Sequence, residues 1–418
     1  MKLRIKDLGP IRGGYSSDDG FLSFPKVTLF CGPQGSGKST AAKLFSSMSW
    51  LEKWIYRNPD FVLTNEFMLE TLAWQGLDDY LMQDTEFVYE GDLYRILFKN
   101  GAVEMKKIGD EKLYLKPKVS YMPAERNFAS IIRNALGVAN LPKPLLDMQV
   151  EFENAKRKYK AGYKLPSNGY GFRYDTKTGE SWIVNGEDHG DGSSPSRTHL
   201  ENASSGLQSM VPLMLVSDYL SNRVVPDYDV NKSGLYYNPG TPEQKIMVER
   251  HIHKVMRSDK SQEVKLENLM RYLAPGKRFI NIVEEPEQNL YPETQYRIVE
   301  FLLRKANAQP SNKLLISTHS PFVVNSMVTA SMAKSLFAMP EMDRISNTRE
   351  ELESLFPEAC AVAQSEMALY EFSDDGSISQ LDADSGVFSD ANLLNRELDM
   401  WNERFGNMLA IKARLSCD

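Results

Sequence analysis

Residues 32–39 read GPQGSGKS, which fits the pattern G-x-x-x-x-G-K-[S/T] in full and is the clearest chemical motif in the chain. Glycines let backbone N–H groups converge on phosphate oxygens, and a helix starting at such a loop adds positive partial charge for a bound anion. Lys38 would reach the β- and γ-phosphates of a nucleotide, and the Ser39 hydroxyl would hold Mg²⁺. A chance glycine-rich turn is the alternative. The predicted nucleotide-binding residues are Gly32, Gln34, Gly35, Gly37, Lys38, Ser39 and Thr40.

Carboxylates follow a short apolar run later in the chain. Residues 279–283 read FINIV, and Glu284, Glu285 and Glu287 come directly after them. The carboxyl end of a buried parallel strand faces the crevice in which α/β sheets bind ligands. We assign Glu284 to the metal side and Glu285 to the base that activates the water attacking the γ-phosphate. An acidic region at the start of the next helix is the alternative interpretation.

A histidine stands at the end of another apolar run. Residues 314–317 read LLIS, and Thr318 and His319 follow. A histidine just past a core strand can donate a hydrogen bond to the γ-phosphate and so report its presence. A lone histidine at a strand end is more often a structural turn residue, but the surrounding motifs favour the catalytic role for His319.

Small residues begin an amphipathic segment between these motifs. Ser204, Ser205 and Gly206 lie at the start of a helix predicted over about 206–220. Free N–H groups at a helix N-terminus form an anion site, which here would be separate in sequence from the glycine-rich loop. A serine N-cap alone would explain the same residues.

Apolar periodicity and turn residues predict the elements that position these motifs. Short apolar runs predict buried strands at 27–31, 118–122, 279–283 and 314–317. A 3.6-residue period or a helix-forming composition predicts helices at 39–56, 61–82, 128–160, 241–256 and 292–307. Tight-turn residues predict hairpins between 87 and 98, at Asn100-Gly101, around Trp182 and at Asp375-Gly376. The motifs therefore alternate with strands and helices, as in an α/β fold.

The order of the motifs resembles that of the ATP-binding-cassette ATPases: phosphate loop, serine-glycine helix start, acidic strand end and strand-end histidine. The sequences of the motifs resemble those of the SMC, RecF and OLD-like branch: residues 8–11 read LGPI, 285–292 read EPEQNLYP and 317–321 read STHSP. The resemblance covers most of the chain, with gaps at insertions. It implies that Ser204–Gly206 is a signature motif capping ATP bound to a second protomer, in a head-to-tail dimer. It also implies that Glu285 is the hydrolytic base and His319 the switch histidine.

Some positions depart from that branch. Glu284 stands where the branch usually has aspartate, and Leu207 stands where its signature often has a second glycine. The nearest equivalent of the family's nucleotide-proximal glutamine is the segment with Glu125 and Arg126, so we expect one of these two near the nucleotide. A coiled-coil arm needs at least about three heptads per strand, and only 142–164 comes near this. The lack of heptads therefore predicts a compact member of that branch without long arms.

The resemblance implies an ABC-type P-loop ATPase head of the α/β class, with a mainly parallel core sheet, an antiparallel β subdomain and a helical insertion lobe. We divide the chain into an ATPase core with the phosphate loop (1–127), a helical signature lobe with insertions (128–274) and a second part of the core with the acidic strand end and the histidine (275–418). The tail's hairpin and a helix from 392 to about 415 are expected to complete the ATPase lobe. The role of the 221–278 insertion stays open.

Three further clusters are weaker candidates for function. Residues 156–164 carry five basic side chains with two tyrosines, which could bind nucleic acid, although a solvated helix end is commoner. His251 and His253 point to different faces of a helix, so we discount them as a metal pair. Asp382 and Asp384 resemble the paired aspartates of a TOPRIM nuclease, but the early glutamate loop of such a domain is missing and we expect no built-in nuclease.

Composition sets outer limits on function. The chain has 418 residues, 42% hydrophobic and 25% charged, as is usual for a globular protein. Its net charge of -7 argues against a molecule that coats nucleic acid. Three cysteines are too few for a disulfide framework. With neither a signal peptide nor an apolar run of about 18 residues, we expect a cytoplasmic protein that does not cross a membrane.

These observations predict an enzyme that hydrolyses ATP with Mg²⁺ and works as a head-to-tail dimer or larger oligomer. In the first hypothesis, the ATP-loaded oligomer senses an invader and controls a separate effector protein such as a nuclease, similar to bacterial antiphage systems of the PARIS or Septu type. In the second, a RecF- or SMC-like ATPase acts on DNA in repair or maintenance. A small-molecule P-loop kinase is a third, but it leaves the serine-glycine turn and the histidine unexplained.

Overall fold

The computed structural model describes residues 1–132, 138, 141–167, 169–186, 196–228, 242–340, 342, 347–384, 387–389 and 391–416. The strands are β1 (Lys2–Leu8), β2 (Gly14–Tyr15), β3 (Phe21–Ser23), β4 (Val27–Cys31), β5 (Leu81–Glu90), β6 (Tyr94–Lys99), β7 (Ala102–Lys107), β8 (Pro117–Met122), β9 (Tyr163–Lys164), β10 (Tyr170–Asp175), β11 (Glu180–Asn185), β12 (Ser196–His199), β13 (Arg278–Glu284), β14 (Lys313–Thr318), β15 (Met367–Phe372), β16 (Ser377–Gln380), β17 (Ala383–Asp384) and β18 (Val387–Phe388). The helices are α1 (Lys38–Arg57), α2 (Asn65–Ala73), α3 (Phe128–Ile131), α4 (Lys143–Lys158), α5 (Ser205–Ser221), α6 (Pro242–Met256), α7 (Gln262–Leu273), α8 (Pro292–Asn307), α9 (Pro321–Phe337), α10 (Thr348–Leu355) and α11 (Leu393–Ser416).

A seven-stranded sheet in the order β2-β16-β15-β4-β14-β13-β8 forms the centre of the molecule. The neighbours from β15 through β8 pair in parallel, and β16 joins β15 as an antiparallel hairpin partner. The predicted strands at 27–31, 118–122, 279–283 and 314–317 all lie in this sheet, so the mainly parallel α/β core is confirmed. Their carboxyl ends meet at one edge, where the phosphate loop, the acidic residues and the histidine follow β4, β13 and β14.

Helices cover both faces of this sheet. Successive side chains of a strand point to opposite faces, so Leu29 joins one hydrophobic cluster and Phe30 the other. The cluster of Leu29 includes side chains of α5, α8 and α9. The cluster of Phe30 includes α1 together with the antiparallel sheet that contains β1 and β5. Among the described residues, no helix has the length and apolar character to cross a bilayer.

Two antiparallel sheets flank the core. One has the order β3-β1-β5-β6-β7 and contains the predicted turn at Asn100-Gly101, and the other has the order β12-β11-β10-β9 and contains Trp182. The predicted hairpins are therefore confirmed. Asn100 and Gly101 both have positive φ, at 52° and 72°, which is the backbone that a two-residue hairpin turn needs.

Two predicted helices are shorter in the structure. The helix expected over 61–82 is only α2, because Gly76 with φ +65° follows its end and β5 begins at Leu81. The helix expected over 128–160 is divided into α3 and α4, and Pro142, which cannot continue a preceding helix, stands directly before α4. In both stretches a helix-forming composition continues past residues that end a helix.

The insertion at 221–278 contains two helices, of which α7 docks on the core and α6 contacts α7 through the stacking of His251 on Tyr272. The predicted helix at 241–256 is α6, apart from Thr241, which lies outside the described residues, and α7 was not predicted. The Lys116 ammonium is buried and donates to the carbonyls of Arg271, Tyr272 and Ala274 at the C-terminal end of α7. Arg57, the last residue of α1, donates to the Tyr272 carbonyl at 3.0 Å and lies over the Tyr272 ring. These cations satisfy the end of α7, which favours positive charge.

The C-terminal helix α11 does not complete the ATPase lobe, which corrects that prediction. Its first turn is tied to the core, since the Leu393 N–H donates to Glu371 Oε1 at 2.6 Å. From 396 to 414 every residue is exposed. The hairpin of β15 and β16 does join the sheet, so only the helix departs from expectation.

Candidate functional site

The predicted phosphate loop connects β4 to α1. Gly37 has φ +101° and forms the N-cap of α1, so the loop turns directly into the helix N-terminus. Gly32 has φ +138°, and a Cβ there would lie 2.1 Å from the carbonyl oxygen of Phe372 in β15. Gly35 has φ +80° with no atom within 4 Å of a Cβ position, which leaves open space on its side. Gly32 and Gly37 are therefore required by backbone conformation and close packing.

Lys38 lies inside this loop rather than in solvent. Its ammonium is buried and donates to the carbonyl oxygens of Gly32 at 2.9 Å and Pro33 at 2.6 Å. Burial lowers the pKa of Lys38 to about 8. The neighbouring Ser39 is exposed and Thr40 is buried, so the Ser39 hydroxyl is the accessible one in the first turn of α1. The cation and hydroxyl that the sequence pattern predicts thus lie together at the helix start.

Glu284 is the last residue of β13 and lies opposite Ser317 of β14. Its side chain is buried, and among the described residues its Oε1 has no hydrogen-bond partner. The Tyr121 hydroxyl lies beside it, and burial together with the Glu284 charge raises the pKa of Tyr121. A buried carboxylate oxygen without a partner is costly unless a cation or water satisfies it. Glu284 therefore fits the metal side of the predicted site.

Glu285 and His319 stand face to face at this edge. Glu285 has φ +42°, unusual for a residue with a side chain, and its N–H donates to the Ser317 carbonyl at 2.8 Å. His319 Nε2 lies 3.7 Å from Glu285 Oε1, and both side chains are partly exposed. Burial and the nearby Lys38 charge lower the pKa of His319 below its ordinary value, so the ring is neutral at pH 7. Structure thus brings the predicted base and the predicted switch histidine together.

Glu287 has a role that the sequence did not reveal. Its Oε1 accepts hydrogen bonds from the Thr318 hydroxyl at 2.7 Å and from the His319 N–H at 2.9 Å. Burial raises the pKa of Glu287. The carboxylate therefore ties the end of β14 to the turn after β13 and fixes the backbone that carries His319. The motif Glu285-Pro286-Glu287 drew attention to Glu287 in the sequence but did not indicate its hydrogen-bond partners.

Either Glu125 or Arg126 was expected near the nucleotide; Glu125 is exposed, and the Arg126 side chain is enclosed behind the acidic strand end. The guanidinium is fully buried and donates to the carbonyls of Glu284 at 2.7 Å, Glu285 at 2.6 Å, Ser209 at 3.2 Å and Pro123 at 3.3 Å. Burial lowers the pKa of Arg126 to about 10, so it stays protonated at pH 7. Arg126 therefore connects the residues of the acidic strand end to α5.

The predicted signature residues open α5. Ser204 is the N-cap, Ser204 and Ser205 are exposed, and Gly206 is buried. A Cβ on Gly206 would lie 2.6 Å from the carbonyl oxygen of Asn289, in the loop after Glu287. The serines are thus accessible at the start of a helix that packs against the acidic loop. Their role toward a second protomer remains a prediction.

The remaining functional candidates include the basic segment 156–164 and the histidines at 251 and 253. In the basic segment, Tyr159 and Tyr163 pack edge to face at 4.9 Å and against the core, while Lys156 is buried. This favours a solvated helix end without a surface for base stacking. His251 stacks on Tyr272 at 3.6 Å, and burial lowers its pKa to about 4. Within the described ranges, no group of three or more histidine, cysteine or acidic side chains is arranged to hold a metal ion.

Fold and site define the class of the protein as a P-loop ATPase. Residues 273–325, which include the acidic strand end and His319, match the family model described as "AAA domain, putative AbiEii toxin, Type IV TA system". An SMC head domain from Thermotoga maritima is similar at 11% identity and a TM-score of 0.34, covering 92% of this chain and 98% of that chain. An SmcHead bound to the C-winged helix domain of ScpA is similar at 9% identity and a TM-score of 0.36, covering 92% and 97%. A comparison with curated protein sequences finds no significant match.

The phosphate loop, the parallel sheet and the AAA match carry this assignment. The chain is an ATP-hydrolysing enzyme, as predicted, and ATP is the nucleotide that the class uses.

Proposed function

We propose that the protein is an ATP-driven switch in which Glu285 activates the attacking water. The phosphate loop and Lys38 hold the β- and γ-phosphates, and neutral His319 donates a hydrogen bond to the γ-phosphate. Ser39 and Glu284 hold Mg²⁺, which when bound supplies positive charge against the phosphate oxygens. The 3.7 Å approach of Glu285 and His319 beside the loop is the observation that carries this proposal.

The active unit is a head-to-tail dimer or larger oligomer. Ser204, Ser205 and Gly206 of one protomer cap the ATP bound to the other, so that two ATPs lie between the heads. Exposure of both serines at a helix N-terminus supports this arrangement, because such a terminus favours an anion. Hydrolysis removes the γ-phosphate that bridges the protomers and releases them.

The switch controls a separate effector protein, such as a nuclease, in antiphage defence in the cytoplasm. The family description, which names a putative toxin and a toxin-antitoxin system, supports a defence role. The net charge of -7 supports a protein partner over direct coating of DNA. A RecF- or SMC-like DNA-acting ATPase is the second candidate, favoured by the exposed Arg157, Lys158 and Lys160 at the end of α4.

Two substitutions test the catalytic proposal. Lys38→Ala is expected to abolish nucleotide binding, because the loop loses its cation. Glu285→Gln is expected to retain ATP binding and trap an ATP-bound oligomer, because it removes the base and leaves the phosphate contacts. Glu293→Gln, on the exposed first turn of α8, is the matched control and should hydrolyse ATP normally. Normal hydrolysis by Glu285→Gln would show that another group is the base.

ATPase assays with and without duplex DNA separate the two roles. Indifference to DNA, together with co-purification of a neighbouring gene's product, would support effector control. Strong stimulation at low salt that fades steeply with added salt would support direct DNA action, because phosphate contacts release counterions. A variant with Lys158 and Lys160 changed to Glu should abolish such stimulation if this basic segment binds DNA.

A further inference from the structure

The exposed part of α11 carries an apolar stripe made of Leu398, Trp401, Phe405 and Met408. Their exposed fractions are 48%, 62%, 60% and 57%. A helix exposed on every side gains little from tertiary packing, which supplies most of the stability of helices in proteins. Large exposed apolar patches on an otherwise ordinary surface mark sites of association. The stripe therefore needs a partner surface to stabilise the helix.

The spacing of the stripe indicates the shape of that partner. Leu398, Trp401, Phe405 and Met408 are separated by three, four and three residues. This alternation is the a/d repeat of a coiled coil, in which side chains of one helix fit between those of a second helix. A helix with the same repeat is thus the fitting occupant, rather than a flat sheet or an extended peptide.

The distribution of charge along α11 identifies which helix fits. Residues 393–403 carry one basic and three acidic side chains, a net charge of -2, from Arg396, Glu397, Asp399 and Glu403. Residues 404–416 carry three basic side chains, a net charge of +3, from Arg404, Lys412 and Arg414. Two antiparallel copies of α11 place the acidic half of each against the basic half of the other, whereas parallel copies place like charges together.

We infer that α11 pairs with α11 of a second copy of this chain as an antiparallel two-helix coiled coil. Trp401 of each copy lies opposite Phe405 of the other, and Leu398 lies opposite Met408. This association needs no nucleotide and is separate from the head-to-tail dimer proposed above. It would join two heads through their C-terminal helices even when no ATP is bound.

The first test measures oligomeric state by light scattering on the full chain carrying Lys38→Ala, without nucleotide. A dimer is expected, and Phe405→Glu in this background should weaken it by at least about tenfold by placing charge in the seam. Ala410→Glu, on the opposite face of the exposed helix, is the matched control and should leave the dimer intact. Normal ATPase activity of Phe405→Glu in the otherwise unchanged protein would show that the head stays folded. A monomer without nucleotide, or equal loss with both substitutions, would overturn the proposal.

The second test measures orientation by disulfide cross-linking, with Cys417 changed to Ser to remove a competing thiol. Asn402→Cys flanks the centre of the antiparallel pair and is expected to cross-link with itself. Leu398→Cys is expected not to, because antiparallel copies separate the two positions by about 15 Å along the axis. Efficient cross-linking through Leu398→Cys would indicate parallel helices and contradict the inference.

Discussion

Arg126 offers the sharpest test of how the acidic strand end is held in place. Arg126→Met keeps much of the side-chain volume and removes four hydrogen bonds to buried carbonyls. Hydrogen bonds from a charged donor contribute roughly 1.5–3 kcal/mol each, so the gross loss is on the order of 6–12 kcal/mol. Removing the guanidinium also removes a desolvation cost of several kcal/mol. We therefore expect a net loss of about 3–5 kcal/mol in the free energy of unfolding.

Activity should fall through the chemical step. Two of the carbonyls belong to Glu284 and Glu285, so the substitution lets the predicted base shift while the phosphate loop stays unchanged. A displacement of about 1 Å can cost on the order of 100-fold in rate, so kcat should fall by that order while KM for ATP changes little. Arg126→Lys keeps the charge but not the planar fork and should restore only part of the rate.

The measurements are urea unfolding and steady-state ATPase kinetics, with Arg297→Met as control. Arg297 is exposed and pairs with exposed Glu293 in α8, so its loss should cost less than about 1 kcal/mol and leave kcat unchanged. The reasoning would be refuted by an Arg126→Met protein with unchanged stability and kcat. A fall in kcat accompanied by an equal rise in KM would instead indicate that Arg126 acts on nucleotide binding.

Three further expectations concern the loop and the signature helix. Burial lowers the pKa of Lys38 to about 8, and bound phosphates should raise it, so ATP binding above pH 8 should be accompanied by uptake of a proton. Calorimetry in buffers of different ionisation enthalpy measures this uptake, and the Lys38→Arg protein should show none. Gly32→Ala should abolish nucleotide binding, because the added Cβ would overlap the backbone of the neighbouring strand. Gly35→Ala should keep most of the nucleotide affinity, at a strain cost of about 1 kcal/mol. Titration with a fluorescent nucleotide compares the two variants. Gly206→Ala should bind ATP but fail to form the ATP-dependent oligomer, because its Cβ would press on the acidic loop, and size-exclusion chromatography with ATP checks this.

Local patterns were enough to predict four parallel core strands and the motif residues at their ends, whereas β15, beside β4, was expected only as part of a tail hairpin. The run at 279–283 is apolar at most positions because both faces of β13 are covered, and this periodicity is visible in the sequence alone. The role of Arg126 was harder to predict, because its partners are main-chain carbonyls as far as 159 residues away and leave no side-chain pattern. Glu287 likewise acts through Thr318 and the backbone of His319, which only the parallel pairing of β13 and β14 brings close.

The ends of the helices, and the surfaces that cover them, were also predicted incompletely from the sequence. An amphipathic pattern shows that one face of a helix is apolar but does not show what covers that face. The pattern in α11 therefore predicted packing on the ATPase lobe, where the structure has an exposed helix. In the stretch at 61–82, one glycine in a left-handed conformation outweighed a favourable composition.

The hydrogen bonds between Lys116 and the end of α7 restrict which residue position 116 can carry when α7 is absent. A lysine buried without acceptors would be strongly destabilising, and here burial already lowers its pKa well below the ordinary value. The carbonyls that accept hydrogen bonds from the Lys116 ammonium all belong to the insertion. Without α7 the Lys116 ammonium would lose these three acceptors, so a lysine at position 116 is compatible with burial only when that helix is present. Relatives that lack the insertion should carry an apolar or solvent-facing residue at this position.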